Sequence, residues 1–486
     1  MLDSEEPGLP IKFGPCASDE YEPRPLSAFV REVVRRARAE CDDNARRTGM
    51  SRRDFLRTAC AAATTLLVLD ACSKAAHRAA GTRPGGTFVL PRESTTEPAA
   101  ADHALGGEEF IFDVQGHLLD HSLDPQALAE FDLIAAGFPQ RLCGEHDGRD
   151  CFSIEHFLEE MFLRSDTNML VLSAVPLPLE HDPLAPEVMD VTRRLVGTLC
   201  HDDRVLLHGK VAPTARSLPE VLAGMERLVA SHPVVGWKTY THLVGPGWWL
   251  DDHDARAPAV GEAFIRKAVE LGIPRIAVHK GLVGAAYNTP EDVGPAARAH
   301  PDVSFLVYHG GYEIGQPEGP YSDGAGGRGA NRLVASMRRA GIGANKNVHA
   351  DLGTTWWHAM RDPNDAAHLL GKLLRFVGED NVLWGTDSIW YGSPQDQIQA
   401  FRAFEITPEF QERFGYPALT KGLKAKVLGL NGARVYGVRD RISTRCTFSR
   451  QELVELRRQL PGGAALYGPT TLPEATALAR RPPPFA

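Results

Sequence analysis

Eight cysteines in 486 residues are too few for a disulfide scaffold, and no Cys-x-x-Cys pair of zinc-ribbon spacing occurs. Basic excess is missing as well, because 53 lysines and arginines against 62 aspartates and glutamates leave a formal charge of −9. Such a chain lacks the clustered positive surface that phosphate backbones require, which excludes nucleic acid as a partner. Long hydrophobic runs are absent too: the most apolar stretch, 58–69, falls short of the ~20 residues that span a bilayer as a helix. Nor does a Gly-rich phosphate loop follow the first strand-like run, where Asp113-Val114-Gln115-Gly116-His117 stands instead. That speaks against an open, doubly wound sheet binding a dinucleotide.

What is present is the composition of a globular protein, 43% hydrophobic and 24% charged, enough for a large core. Of the cysteines, Cys143 and Cys151 are close enough in sequence to pair if the chain meets an oxidising compartment; two buried thiols are the alternative.

The N-terminus reads as an address. Ser51-Arg52-Arg53-Asp54-Phe55-Leu56-Arg57 fits the twin-arginine pattern, and the apolar stretch 58–69 follows it as the core of a signal peptide; an ordinary buried helix is the competing reading. The expectation is export by the twin-arginine machinery to the periplasm or another extracytoplasmic site. Leu69-Asp70-Ala71-Cys72 loosely resembles a lipoprotein box that would place a lipid on Cys72, although its aspartate is out of character. Met50 could itself be the start, yet 28–47 carries Phe29, Val33, Val34 and Ala37 at helical spacing, as a coding segment would.

From residue 110 onward, runs rich in Val, Ile, Leu and Phe alternate with helical patterns, the rhythm of βα units around a parallel sheet. Eight strands are expected, at 110–115, 168–175, 204–210, 234–239, 275–279, 303–309, 347–352 and 381–387. Helical patterns at 263–271, 332–340 and 366–377 each stop at a glycine, Gly272, Gly341 or Gly378. The fold expected is a (β/α)8 TIM barrel over 108–440, preceded by a leader segment at 1–80 and followed by an extension at 441–486 with a Pro-rich tail. The Gly-rich run 323–329 falls after the sixth strand, where a lid or a plain surface loop would sit.

Catalytic groups of such barrels gather at the C-terminal ends of the strands. The first strand closes on Gln115 and His117, the fifth on His279, the sixth on His309 and the eighth on Asp387. Burying that many polar groups is costly without a purpose, and two histidines with one aspartate form a ligand set for Zn2+ or a similar divalent ion. Lys238 closes the fourth strand as a substrate-facing or structural cation, with His242 beyond it. All seven tryptophans fall between the fourth and eighth strands, Trp356 among them, as an aromatic pocket wall or as loop packing.

Three segments make a family resemblance. Val307-Tyr308-His309-Gly310-Gly311, Leu383-Trp384-Gly385-Thr386-Asp387 and the closing run from Lys426 to Gly437 resemble the amidohydrolase-2 branch of the amidohydrolase superfamily, from Phe110 to about Val438. That branch includes aminocarboxymuconate semialdehyde decarboxylase, lactone hydrolases and aromatic-acid decarboxylases. The resemblance implies His117, His279 and Asp387 as metal ligands and His309 as the group handling the proton of the attacking water, with Asp387 as the other candidate. It also places Gln115 where the family usually has histidine and some decarboxylases have glutamate. A glutamine ligates only through its neutral amide oxygen, which opens the choice between Zn2+ and the harder Mn2+.

The resulting expectation is a metal-dependent hydrolase of a small ester, lactone or amide, with Lys238, His242 and Trp356 toward the substrate. A non-oxidative decarboxylase of a small carboxylic acid is the second reading. A metal-poor binding protein with a degenerate site is the third. No motif fixes the oligomeric state, so a homo-oligomer is left open.

Overall fold

A computed structural model describes residues 8–14, 25–120, 138–143, 145, 148–175, 182–323, 327–442 and 446–459. The Pro-rich tail and positions 324–326 of the Gly-rich run lie outside the described residues.

Ten strands are described. Between the short β1 (Gly86–Phe88) and β10 (Phe404–Ile406) lie β2 (Phe112–Gly116), β3 (Met169–Leu172), β4 (Val205–Lys210), β5 (Val234–Tyr240), β6 (Arg275–His279), β7 (Ser304–Tyr308), β8 (Val348–Asp351) and β9 (Val382–Leu383). Strands β2 to β9 form one eight-stranded sheet in sequential order with every ladder parallel, as the strand count from sequence predicts. Ladder pairing does not join β9 to β2. Closure comes instead from the chain just past β9, which runs beside β2: Val114 N donates to Trp384 O at 2.9 Å, Asp387 N to Gln115 O at 2.9 Å, and Ile389 N to His117 O at 3.0 Å. This seam sets Asp387 against Gln115 and His117.

Side chains alternate along the strands as the pleat dictates. Phe112, Val114, Val171, Leu206, Ala277, Leu306 and Tyr308 point into the barrel, where Ala433 and Tyr436 of the helix Asn431–Tyr436 join them. Their neighbours Ile111, Leu170, Leu207, Val278 and Val307 face the surrounding helices. The helices Gly261–Glu270 and Ala330–Arg339 stop ahead of Gly272 and Gly341, whose φ values of 71° and 72° suit a residue without a Cβ.

The N-terminal segment belongs to the same body. Helix Ala28–Thr48 buries Val33 and Ala37, and Asn44 Nδ2 donates to Thr64 Oγ1 at 3.1 Å on helix Ala59–Ala79. The apolar stretch read as ending at Leu69 is the first half of that 21-residue helix, which by length and composition could cross a membrane but is 61% buried within its apolar window. Leu66 and Leu69 share one hydrophobic cluster with the barrel's outer wall. Asp70 explains its presence in an apolar run: Oδ1 accepts from Thr87 Oγ1 at 2.8 Å and from Phe88 N at 3.2 Å, tying the helix to β1, which pairs antiparallel with β10. Cys72 lies mid-helix and buried, so a lipid there would require the helix to be cut and unpacked.

Cys143 and Cys151 form a disulfide. A second one, which sequence spacing did not suggest, joins Cys200 to Cys446 across 246 positions and anchors the segment 446–459 to the end of helix Pro186–Cys200.

Candidate metal centre and catalytic site

The expected residues converge at the C-terminal end of the barrel. Gln115, His117, His279, His309 and Asp387 are all buried, none more than 3% exposed. His309, directly after β7, and Asp387, four residues past the end of β9, have φ of 65° and 61°, a left-handed conformation uncommon outside glycine. Strain of this kind is kept where surrounding contacts hold it, and active sites are a common place for it.

On one side of the site, His117 Nε2 faces Asp387 Oδ1 at 3.0 Å while His117 Nδ1 donates to Ser173 O at 2.6 Å. With Nδ1 committed to a carbonyl, the imidazole and the carboxylate confront each other across a gap that only a proton or a cation satisfies. Gln115 Nε2 donates to the same Asp387 oxygen at 2.8 Å. Reversing the amide would set its oxygen against a carboxylate, so the nitrogen is the atom that faces the cluster. Gln115 Oε1 is buried with no hydrogen-bond partner among the described residues. The other oxygen of Asp387 accepts from Thr354 Oγ1, which is also 2.7 Å from Tyr391 OH.

Across the site, the rings of His279 and His309 meet edge to face with centroids 4.3 Å apart. His309 Nδ1 donates to Gly353 O at 2.8 Å, and His279 Nδ1 lies 3.3 Å from Asn288 Oδ1. Asn288 is itself fixed, donating to Gly281 O at 2.5 Å and Val283 O at 3.0 Å. Thus His117, His279 and His309 each commit Nδ1–H to an oxygen outside the site and keep Nε2 for it. Histidines that bind metals are oriented in this way by the partner of their second nitrogen.

Burial dominates the electrostatics. It drives His279 well below the ordinary imidazole range, with His309, Lys238 and His242 adding to the effect. It takes His309 to about 4, although the Asp387 charge pulls the other way. Burial would raise Asp387, but hydrogen bonding and charge from His117 outweigh it and hold the carboxyl at about 2. His279 and His309 are therefore neutral imidazoles beside the Asp387 carboxylate, donors of the kind a divalent cation takes. Among the described residues no three such groups already stand at metal-holding distance; they form the two pairs just described.

Lys238 is fully buried, with Nζ 3.8 Å from the centre of the Tyr308 ring and 4.5 Å from that of Tyr240. Half-buried His242 sits beside the site, 5.3 Å ring to ring from His279, and burial takes it to about 3. Trp356 needs correction. Its Nε1 donates to Gln397 O at 2.9 Å and its ring packs on Phe401 and Phe404, so it fills the shell outside the barrel and does not face a substrate. Trp390 is the tryptophan that reaches the site, stacked on His117 at 5.5 Å and 6°.

Thr354, Tyr391 and Asn288 escaped the sequence reading. The rule that singled out the histidines, polar groups closing apolar runs, also applies to Asp351 at the end of β8 and Thr354 beyond it. There the apolar Leu352 masked the signal.

A sequence profile of the amidohydrolase family matches residues 112–438, about two thirds of the chain. The chain belongs to the amidohydrolase family. The match begins at β2 and ends just past the helix that fills the barrel floor, so the helices Ala28–Thr48 and Ala59–Ala79 of this amidohydrolase lie outside the shared unit. No curated protein matches the chain. Among solved structures it is similar to an uncharacterized TIM-barrel protein from Bordetella bronchiseptica, at 14% identity and a TM-score of 0.43 over 68% of this chain and 98% of that one. It is also similar to 4-oxalomesaconate hydratase from Rhodopseudomonas palustris, at 17% identity and 0.42 over 68% and 97%. A third is 5-carboxyvanillate decarboxylase from Novosphingobium aromaticivorans with bound manganese, at 14% identity and 0.39 over 68% and 98%.

Proposed function

We propose that this amidohydrolase is a metal-dependent hydrolase that uses water to open a small ester, lactone or amide. The observation that carries the reading is the set of three buried imidazoles with Nδ1 committed outward, gathered with Asp387 at one end of the barrel. His117, His279 and Asp387 would hold the ion. Zn2+ suits the imidazole nitrogens, and Mn2+ is its competitor. When bound, the ion supplies Lewis acidity toward an oxygen of substrate or water. His309, oriented by Gly353 O, offers Nε2 as the base that takes a proton from the attacking water and returns it to the leaving group. Burial keeps bulk water from competing for these hydrogen bonds.

Metal analysis of the purified protein, followed by an ester, lactone and amide screen in 18O-labelled water, tests the proposal. One divalent ion per chain and label in the product acid are expected. Carbon dioxide release from a carboxylic acid without labelled product would replace hydrolysis with decarboxylation. Absence of a stoichiometric ion, with ligand binding intact in His279→Ala, would leave a binding protein.

An extracytoplasmic workplace belongs to the same proposal. Its support is the Arg52-Arg53 motif and the two disulfides, which persist in oxidising compartments. Replacing Arg52 and Arg53 by lysine should retain the protein in the cytoplasm, as fractionation of expressing cells would show.

A further inference from the structure

The turn after β8 is built in an unusual way. Thr354 has φ 57° and ψ −39°, and Thr355 N reaches back to Gly353 O at 2.5 Å, which makes a three-residue turn of positive φ. Such turns are rare and strained, and a β-branched residue tolerates positive φ worst of all. A strained backbone persists only where its surroundings over-determine it. Here the Gly353 carbonyl and both threonine hydroxyls of the turn bond to site residues. Gly353 O receives His309 Nδ1, Thr355 Oγ1 donates to His309 O at 2.9 Å, and Gly353 N donates to Asp351 Oδ1 at 2.7 Å. The Thr354 hydroxyl donates to Asp387 Oδ2 and lies 2.7 Å from Tyr391 OH. His309, Thr354 and Asp387, three of the non-glycine residues with positive φ among those described, thus form one hydrogen-bonded group.

We infer that Thr354, backed by Tyr391, is a positioning residue that clamps Asp387 through Oδ2, so that Oδ1 alone is presented to His117 and to an ion. The inference rests on the metal reading above for its consequence, but the clamp itself is a property of the metal-free protein. A hydroxyl donor is the requirement. With Asp387 Oδ2 committed to Thr354, Tyr391 OH is the donor into Thr354 Oγ1, and the carboxylate is fixed from below by a two-link chain. Gln115 holds the opposite oxygen from the side. Without the chain, only the Gln115 and His117 contacts to Oδ1 would restrain Asp387 about its terminal torsion.

Three variants separate the hydroxyl from the strain. Thr354→Val keeps the shape and the β-branch but removes the donor; Thr354→Ser keeps the donor and drops the branch; Tyr391→Phe removes the second link. Titration of the metal-free full-length protein with Mn2+ and with Zn2+ should show affinity falling about 10- to 100-fold in Thr354→Val, the range for a lost partner of a metal ligand. Thr354→Ser should stay within about threefold of wild type, with Tyr391→Phe in between. Melting in EDTA reads the clamp without any metal: Thr354→Val should lower the midpoint by roughly 2–4 °C, and Thr354→Ser should not. Equal loss in Thr354→Val and Thr354→Ser would show that backbone shape, and not the hydroxyl, is what matters. No loss in either would remove the clamp. If wild type binds neither ion, the metal reading fails, and the EDTA melts alone decide the clamp.

Discussion

Two regions of this amidohydrolase bury polar groups, and they do so for different ends. At the barrel's C-terminal end, His117, His279, His309 and Asp387 are each held by a directed hydrogen bond that leaves another atom aimed inward. In the N-terminal hairpin of Ala28–Thr48 and Ala59–Ala79, polar groups are consumed locally. Thr64 and Thr65 donate to carbonyls one turn back at 2.8 and 2.7 Å, and Asp70 is divided between β1 and Lys74. Polar burial at the barrel end leaves atoms aimed into the site; in the hairpin, Asn44, Thr64, Thr65 and Asp70 bond to a neighbouring turn, helix or strand. The first pattern suits a reactive site, and the second suits packing.

The sharpest way to break this contrast is to remove a ligand. Asp387→Ala or His279→Ala should abolish stoichiometric metal and lower turnover by more than about 100-fold, beyond the loss typical of a supporting residue. Metal analysis and the hydrolytic assay check both. If either variant keeps its ion and its rate, the barrel end is packing like the hairpin.

A hairpin variant should do the reverse. Leu66 is fully buried between the hairpin and the barrel's helices, and Leu66→Ala should cost about 3 kcal/mol of stability through lost transfer energy and a cavity. Metal content per folded chain should not change. Denaturant titration and metal analysis of the same sample read the two quantities.

The parts of this picture legible from sequence were those written in local pattern. Apolar runs alternating with helical patterns located all eight barrel strands, because each βα unit is encoded in a short stretch of chain. Strand-end polarity singled out His117, His279, His309 and Asp387, which the fold brings to one end of the barrel. Three features were not legible. The Cys200–Cys446 bridge joins positions far apart in sequence, so spacing carries no signal. The orientation of Gln115, nitrogen toward Asp387, depends on the seam between β2 and the chain past β9. The fate of the apolar stretch after Arg53 depends on whether a partner surface exists, and helix Ala28–Thr48 with the barrel wall supplies one.

Acid should separate the regions through titration. Buried His349, near the middle of β8, is lowered to about 3 by burial and by Arg434. An unfolded histidine binds its proton near pH 6.5, so between about 3 and 6.5 the unfolded state holds more protons than the folded one. Stability therefore falls as pH drops below 6.5, by up to about 2 kcal/mol at pH 5 for such a group. His349→Gln should flatten that limb in urea melts at pH 7 and pH 5. Leu66→Ala should shift the whole curve without changing its slope.

The finest comparison makes one edit, amide to leucine, in both places. Gln115→Leu removes a donor from the buried Asp387 carboxylate and should cost about 2 kcal/mol, because a charged acceptor loses a bond that nothing replaces. Asn44→Leu removes the bond to Thr64, but the Thr64 hydroxyl still donates to Cys60 O at 2.8 Å, and leucine can join the apolar contact between the helices. Its cost should stay under about 1 kcal/mol. Urea titrations of the two variants in EDTA measure the difference. Equal costs would mean that Asp387 does not depend on Gln115, and the carboxamide would then be available to serve an ion directly.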